Sequence, residues 1–253
     1  MFFIKPSTIH LDCFTNNPIV YQNFKVEQAR EFIPSWWRNL PLLRQVKANN
    51  DPNSKITIAE INLKQCYGFR DLFAEGFIIP FWADIKIEMH GDGKYYITGH
   101  NVPTVNINAT THPRWQTGNE IYQDCSHLKI DSPWFFEEKS GVKFSWNACM
   151  WNNTSYLNDA HILSGVLDFK TQKSTNLNMF IKNGSVVTLN AGDPMVHLIP
   201  ISDKKIKIHN HLISDEEFGK KWRIEVFAND YFVTRVKKMK NEEPKKCPFG
   251  FGR

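Results

Sequence analysis

Residues 162–201, "ILSGVLDFKTQKSTNLNMFIKNGSVVTLNAGDPMVHLIPI", decide the fold class of this chain. Four short apolar runs alternate there with polar turns rich in Gly, Asn and Asp. Runs of this length between such turns are typical of β-strands. Asp168 directly follows the first run, and Gly192 lies in the last turn. The stretch therefore predicts a β fold and raises the question of whether Asp168 is a catalytic base or only a turn residue.

The rest of the chain repeats this pattern. In "IKIEMHGDGKYYIT", residues 85–98, Ile85, Ile87 and Met89 alternate with polar residues, and a Gly-Asp-Gly turn follows. This combination predicts a β-hairpin. Further runs recur every eight to twelve residues, a spacing typical of a sandwich or barrel. Near the start, "FFIKPSTIHLDCF", residues 2–14, predicts an edge strand interrupted by Pro6.

Helical signals are few. Residues 26–45, "VEQAREFIPSWWRNLPLLRQ", carry a short helical pattern broken at Pro34 and Pro41. Ser214 and Glu217 have the spacing of a capping box and predict the start of a longer helix. We therefore expect a mainly β domain over residues 1–213, with a few short helices, and a C-terminal helical appendage over residues 214–253 packed on the same domain.

Composition narrows the class of protein. The 253 residues are 42% hydrophobic, 23% charged and 13% aromatic, which suits one large globular domain with an aromatic core. Five scattered cysteines argue against a disulfide framework or a zinc knuckle and favour a reducing compartment. We recognise no signal peptide and no membrane-spanning run, so a cytoplasmic location is expected, with no membrane partner.

The positive charge is concentrated in the last quarter of the chain. The formal net charge is +5, and lysines and arginines recur from Lys204 to Arg253. Such a segment could attract polyphosphate or nucleic acid, but a solvated helix face with a charged tail is the commoner case. We do not favour direct binding of nucleic acid.

Common catalytic motifs are absent from the sequence. No GxSxG, P-loop, GxGxxG or HExxH pattern occurs. His209 and His211 lie two residues apart on a predicted strand, so both imidazoles would share one face and could form a ligand pair. Surface histidines without a metal are far commoner than such pairs. The loop "THPRWQTG", residues 111–118, offers His112, Arg114, Trp115 and Gln116 for recognising a base by stacking and hydrogen bonds.

Two segments of the opening stretch resemble motifs of the dUTPase and dCTP deaminase superfamily. Residues 165–168, "GVLD", match the family's Gly-x-[IV]-Asp motif at a strand end. Residues 192–198, "GDPMVHL", match its Gly-Asp-x-[IL]-Ala-Gln-Leu segment, with His197 where the family has Gln. Upstream, "EGFIIPFWADIKI" is similar to the first motif, and "CPFGFGR" at residues 247–253 is similar to the Gly-Phe-Gly tail.

The resemblance implies a β-clip or jelly-roll-like barrel or sandwich, often assembled as a trimer, that binds a nucleotide. In that scheme Asp168 would contact the sugar and deprotonate the attacking water, and Asp84 would hold Mg²⁺ through water. Gly192 and His197 would line the site. The tail residues Phe249, Phe251 and Arg253 would close over the phosphates. The activity implied is a nucleotide pyrophosphatase or a deaminase-like hydrolase.

The chain also departs from that pattern. No Arg-Ser-Gly motif is present, and Phe169, not Tyr, follows Asp168. The chain as a whole also resembles a family of uncharacterised phage and bacterial proteins, in "GFIIPFWADI", "HPRWQ" and "AGDPMVHLIPI". Two interpretations therefore stay open. One is a protein of dUTPase-like fold that hydrolyses or sequesters a nucleoside triphosphate in the host cytoplasm. The other is a non-enzymatic phage structural or interaction protein, located in the virion, that keeps the fold without the site.

Overall fold

Short β-strands are the predominant secondary structure in a computed structural model of the chain. The structure describes residues 8–47, 49, 51–91, 93–99, 107–118, 122–152 and 155–222. The strands of the first half are β1 Thr8–Thr15, β2 Glu27–Gln28, β3 Leu43–Lys47, β4 Thr57–Ile61, β5 Phe77–Pro80, β6 Ile85–Gly91, β7 Lys94–Thr98 and β8 Ala109–His112. Those of the second half are β9 Cys125–Ile130, β10 Phe135–Glu138, β11 Lys143–Ala148, β12 Ala160–Ile162, β13 Gly165–Asp168, β14 Leu177–Lys182, β15 Val186–Leu189, β16 Pro194–Pro200 and β17 Lys205–Leu212.

The helices are short and lie between strands. They are α1 Pro18–Asn23, α2 Ser35–Asn39, α3 Tyr67–Ala74 and α4 Arg114–Thr117, with 3-10 turns at Ala29–Phe32, Leu63–Gln65 and Ser155–Asn158. Residues 215–222 are also helical. Ser214 and Glu217 form the predicted capping box, since the Glu217 N–H donates to Ser214 Oγ and the Ser214 N–H donates to Glu217 Oε2, both at 3.2 Å. Most of the predicted 214–253 appendage lies outside the described residues.

The strands pair into several sheets, and within the described residues none of them closes into a barrel. A five-stranded sheet has the order β13-β11-β16-β5-β2, and a four-stranded sheet has the order β12-β14-β9-β8. Two three-stranded sheets have the orders β10-β1-β17 and β15-β6-β7, and β3 pairs with β4 alone. The expected mainly β architecture with a few short helices is confirmed.

The hairpin prediction is confirmed and the edge-strand prediction is wrong. β6 pairs antiparallel with β7, and Ile85, Ile87 and Met89 are buried while Lys86 faces solvent. By contrast β1 lies in the middle of its sheet, antiparallel to β10 and parallel to β17. Its alternating residues Ile9, Leu11 and Cys13 are buried, so one face of β1 lies against the core.

One main hydrophobic core holds these sheets together, and aromatic side chains fill much of it. The largest fully buried side chains include Trp134, Phe81, Phe135, Phe136, Phe144 and Phe169. Each buried aromatic ring removes a large apolar area from water, so a β domain of this size needs no disulfide staples. Many of the aromatic residues of the sequence therefore serve to fill the hydrophobic core.

Candidate functional site

Asp168 opens a turn at the end of β13. Its Oδ1 accepts the Lys170 N–H at 3.0 Å, and its backbone oxygen accepts the N–H groups of Thr171 and Gln172. Side chains alternate along a strand, so Asp168 and Val166 point away from the side of Gly165 and Leu167. Gly165 and Leu167 line a cavity, described below, to which Asp168 does not contribute.

Asp84 and Gly192 lie together, in a contact between two turns. Asp84 Oδ1 accepts the N–H of Ala191 at 2.6 Å, and Gly192 donates its N–H to Phe81 O at 2.7 Å. Gly192 has a φ of 87°, a left-handed conformation that favours glycine. These contacts fix the turn before β16 against the segment before β6.

The strand register separates these two predicted carboxylates. Asp168 pairs with Lys143, and Phe144 pairs with Pro200, so Asp168 lies at the Pro200 end of β16. Gly192 precedes Pro194 at the other end of this seven-residue strand. Seven residues of strand span roughly 20 Å at about 3.3 Å each. Within one copy of the chain, Asp168 therefore does not share a pocket with Asp84 and Gly192.

His197 is a buried residue of β16. Its Nε2 lies 2.8 Å from Glu75 O, and its side chain is 1% exposed. Burial lowers the pKa of His197, although the contact with Glu75 O opposes this shift. Gly76 approaches the same strand so closely that a Cβ there would lie 2.2 Å from Leu198 O. His197 therefore helps to seat the segment before β5 on β16.

The predicted recognition loop forms the end of β8 and the short helix α4. Trp115 is 83% exposed and Gln116 is also exposed, and neither belongs to the lining of the two cavities described below. His112 and Arg114 do line one. The tail residues Phe249, Phe251 and Arg253 lie outside the described residues.

A row of rings crosses one face of the four-stranded sheet, the face opposite to the one that contributes Leu128, Met179 and Ile181 to the main core. His112 pairs with His127, His127 with Phe180, and Phe180 with His161, so all four side chains lie in one register. The rings of His112 and His127 stack at 4.7 Å with an interplanar angle of 12°. Tyr122 stacks on Phe180 at 4.8 Å. We call this row, His112, His127, Phe180 and His161, the histidine face.

His127 is the most unusual residue of this row. Its side chain is 5% exposed, and among the described residues its Nδ1 has no hydrogen-bond partner. Burial, with help from nearby His112 and Lys129, lowers the pKa of His127 to about 4. The imidazole is therefore neutral at physiological pH. A buried polar atom without a partner is costly, so it marks a position where a ligand could supply the missing bond.

One cavity opens at the Cys125 end of the histidine face and has a volume of about 350 Å³. We call it the Arg114 cavity. Its walls include His112, His127, Arg114, Thr111 and Asn183. Arg114 Nη2 donates to Gln123 O, which directs the guanidinium along one wall. Burial raises the pKa of the Cys125 thiol, so it is protonated and not a nucleophilic thiolate at neutral pH.

A second cavity of about 430 Å³ opens at the Lys129 end, and His112 and His127 line it as well. We call it the amide cavity, since Gln172, Asn176 and Asn178 line it. Asn178 Nδ2 donates to Asn176 O at 3.3 Å, and Asn176 Oδ1 accepts the Ser132 N–H at 3.2 Å. These bonds orient both amides before any ligand arrives.

The opposite wall of the amide cavity is apolar and comes from the five-stranded sheet. Trp146 and Leu167 contribute to it, and Ser164 and Gly165 complete the rim. An apolar wall facing oriented amides is suited to a flat polar molecule, since small-molecule sites combine apolar surface with a few fixed polar groups. The amides can donate and accept hydrogen bonds at once.

Most of the residues that line the two cavities could not be predicted from the sequence. The motifs recognised in the sequence include His112, Arg114 and Gly165. By contrast, the predicted strands that contain His127, Lys129 and Asn178 carry no motif. The signal available is alternation in "CSHLKI", residues 125–130, where His127 and Lys129 oppose Ser126, Leu128 and Ile130. That pattern shows which residues share a face, but it does not show that the face meets another wall.

Among the described residues no group of three or more His, Cys, Asp or Glu side chains is arranged to hold a metal ion. In the same part of the chain no helix has the length and apolar character needed to cross a bilayer. No protein-family model matches the sequence, and no curated protein matches it.

Proposed function

We propose that this protein binds a nucleotide along the histidine face. The observation that carries the proposal is that His112 and His127 line both cavities, so one ligand can contact both. The base would occupy the amide cavity between Trp146 and the amides of Asn176 and Asn178. The phosphates would extend toward Arg114, because guanidinium groups favour phosphate oxygens.

For a single copy of the chain, the proposal is for binding and not for hydrolysis. Asp168 and Asp84, the two carboxylates of the dUTPase-like scheme, each accept backbone N–H groups in turns. A general base must reach the water that it deprotonates, and neither carboxylate lines the two cavities. Mg²⁺ would arrive with the phosphates of a triphosphate, since Mg²⁺ commonly binds through substrate phosphates and water.

The same proposal extends to the ancestry of the fold, its oligomeric state and its origin. A dUTPase-like jelly-roll ancestry would explain the "GVLD" and "GDPMVHL" segments, and a trimer would let Asp168 of one copy approach the Asp84 turn of another. A phage origin would place the protein in the host cytoplasm. Such an assembly could still hydrolyse nucleotides between subunits, and this is the enzymatic version of the proposal.

A thermal-shift screen of nucleoside mono- and triphosphates, with and without Mg²⁺, tests the binding. We expect at least one nucleotide to raise the melting temperature, because a ligand held only by the folded state stabilises it by about 2.7 kcal/mol at a hundredfold excess over its Kd. Asn178→Leu removes the central amide at similar volume and should abolish the shift. Asp168→Asn, outside both cavities, is the matched control and should retain it.

Two outcomes would contradict the proposal. The first is the absence of any shift at about millimolar nucleotide, a concentration that detects even weak sites. The second is a shift that survives Asn178→Leu but disappears in Asp168→Asn, which would move the site to the end of β13. Chromatography of the incubated nucleotide then separates binding from turnover, and full turnover in Asp168→Asn would exclude Asp168 as the base.

A non-enzymatic interaction protein is the second candidate, and the β3–β4 hairpin supports it. These strands pair only with each other among the described residues, and Leu43, Ile58 and Ile61 are exposed on them. Exposed apolar side chains in a group are typical of surfaces that meet another protein. A virion location would suit such a role.

A further inference from the structure

Two histidines meet on the outward face of β1 and β17, far along the chain from each other. His10 Nδ1 lies 2.8 Å from His209 Nε2. The ring planes differ by 15° and the centroids are 5.1 Å apart. The centroids are thus 2.3 Å further apart than the nitrogens (5.1 minus 2.8). The two rings therefore meet at their nitrogen edges, nearly in one plane, and do not overlap face to face.

This contact brings two potential ligand atoms to one point. A neutral imidazole carries one N–H and one lone pair, so the contact holds a single shared proton. If a metal ion replaces that proton, both nitrogens present lone pairs to the same position. Imidazole nitrogen is a preferred ligand of Zn²⁺, Cu²⁺ and Ni²⁺, at about 2.0–2.1 Å for zinc. Two nitrogens that each lie about 2.0–2.1 Å from one ion are about 3.3–4.1 Å apart, so the rings must separate from their present nitrogen–nitrogen distance of 2.8 Å to admit it.

The backbone holds the pair in place. β1 and β17 pair in parallel over their full eight residues, with Asp12 opposite His209 and Lys207 opposite His10. Side chains of His10 and Asp12 share the outward face of β1, because the alternating residues Ile9, Leu11 and Cys13 are buried. His10 is exposed, so water can complete the coordination of a bound ion.

Neighbouring charges explain why the pair is His10 with His209 and not His209 with His211. His211 Nε2 lies 2.8 Å from Asp12 Oδ1, and its ring centroid is 6.3 Å from that of His209. His211 is therefore engaged with Asp12. The Asp12 carboxylate adds negative charge beside His209, while the Lys207 side chain opposite His10 is exposed and screened by water.

We propose that His10 and His209 form a two-histidine site for a borderline transition-metal ion of the Zn²⁺, Ni²⁺ or Cu²⁺ class. The ion would cross-link the first described strand to the last one. Each neutral ring binds the ion through its unprotonated nitrogen, so the proton shared in the contact moves by way of water to the other nitrogen of the ring that carries it. This site is separate from the histidine face and does not depend on nucleotide binding.

The test is the melting temperature of the full chain with increasing NiCl₂ or ZnCl₂. We expect a rise that grows with each tenfold increase in metal above the Kd, that EDTA reverses, and that MgCl₂ does not reproduce, because Mg²⁺ prefers oxygen ligands. His10→Gln and His209→Gln should each abolish the rise. His211→Gln is the matched control on the same strand and should keep it.

A second readout follows the ligand atoms directly. Electron paramagnetic resonance of the protein with one equivalent of Cu²⁺ should show coupling to two imidazole nitrogens, reduced to one in His10→Gln. The proposal is overturned if the wild-type chain shows no rise with nickel or zinc. It is equally overturned if the rise persists in both His10→Gln and His209→Gln, because the ion then binds elsewhere.

Discussion

His127 makes the stability of the fold depend on pH. Its pKa is about 4 in the folded chain, because burial disfavours the imidazolium, whereas an unfolded histidine has a pKa of 6.5. As the pH falls from 6.5 toward 4, the unfolded chain gains a proton that the folded chain does not accept. The folded state therefore loses stability across this window, and this loss is complete below pH 4.

We expect the free energy of unfolding to fall by about 2 kcal/mol between about pH 7 and about pH 5 through His127 alone. Urea denaturation at the two pH values measures it. His127→Gln should show a smaller decrease. We expect His197 to contribute to the remaining decrease, because burial also lowers its pKa. An equal decrease in His127→Gln and the wild-type chain would contradict the assignment.

At the residue scale, the sequence singled out His112 and Arg114, and both line a cavity of the structure. His112 and Arg114 stood out because they sit in a loop with Trp115. Asp168 stood out because a lone carboxylate ends an apolar run, yet Lys170, Thr171 and Gln172 use it as a turn acceptor. A carboxylate in a turn and a carboxylate in a site have the same local sequence, so only the surrounding walls distinguish them.

The β3–β4 hairpin and the β6–β7 hairpin are similar in sequence pattern and opposite in environment. Ile61 of β4 is 74% exposed, whereas Ile87 of β6 is fully buried in the main core. An isolated two-stranded hairpin is marginally stable by itself. The exposed pair of strands therefore contributes little to the stability of the domain.

A matched pair of substitutions measures this difference. Ile87→Ala should lower the free energy of unfolding by about 2–5 kcal/mol, because it leaves a cavity in the core. Ile61→Ala should change it by less than about 0.5 kcal/mol, because its side chain is already in water. Urea denaturation at one pH compares the two variants. A loss above about 2 kcal/mol in Ile61→Ala would mean that the hairpin packs on a surface.

At the element scale, the sequence correctly predicted features that depend on residues close together in the chain. The 85–98 hairpin and the Ser214–Glu217 capping box involve neighbours in sequence, and both are confirmed. The position of β1 was predicted wrongly because its partners β10 and β17 lie far along the chain. Pro6 suggested an edge, but the buried alternation of Ile9, Leu11 and Cys13 is equally compatible with a central strand.

At the scale of the whole molecule, the first described strand, β1, pairs with the last one, β17. Asp12 and His211 contact each other across 199 positions of sequence, and all eight residues of β1 pair with β17. The cost of closing such a loop must be met before its contacts form, so non-local β pairing slows folding. No local pattern in the sequence specifies this closure, which is why the order of the sheets could not be predicted.

We expect refolding from urea to take milliseconds to seconds, the range of proteins dominated by non-local strand pairing. Stopped-flow tryptophan fluorescence measures the rate. Extra stability from nickel at His10 and His209 should chiefly slow unfolding, if the β1–β17 contact forms late. Complete refolding within about a hundred microseconds would contradict the role of this long-range closure.

Trp115 gives the fold an optical property of practical use. It is 83% exposed on α4, immediately after Arg114, whereas Trp82 and Trp134 are almost fully buried. Aqueous collisional quenchers reach an exposed indole far more readily than a buried one. The emission that such quenchers remove first therefore comes largely from the tryptophan next to Arg114 in the chain, which acts as a built-in reporter without a dye.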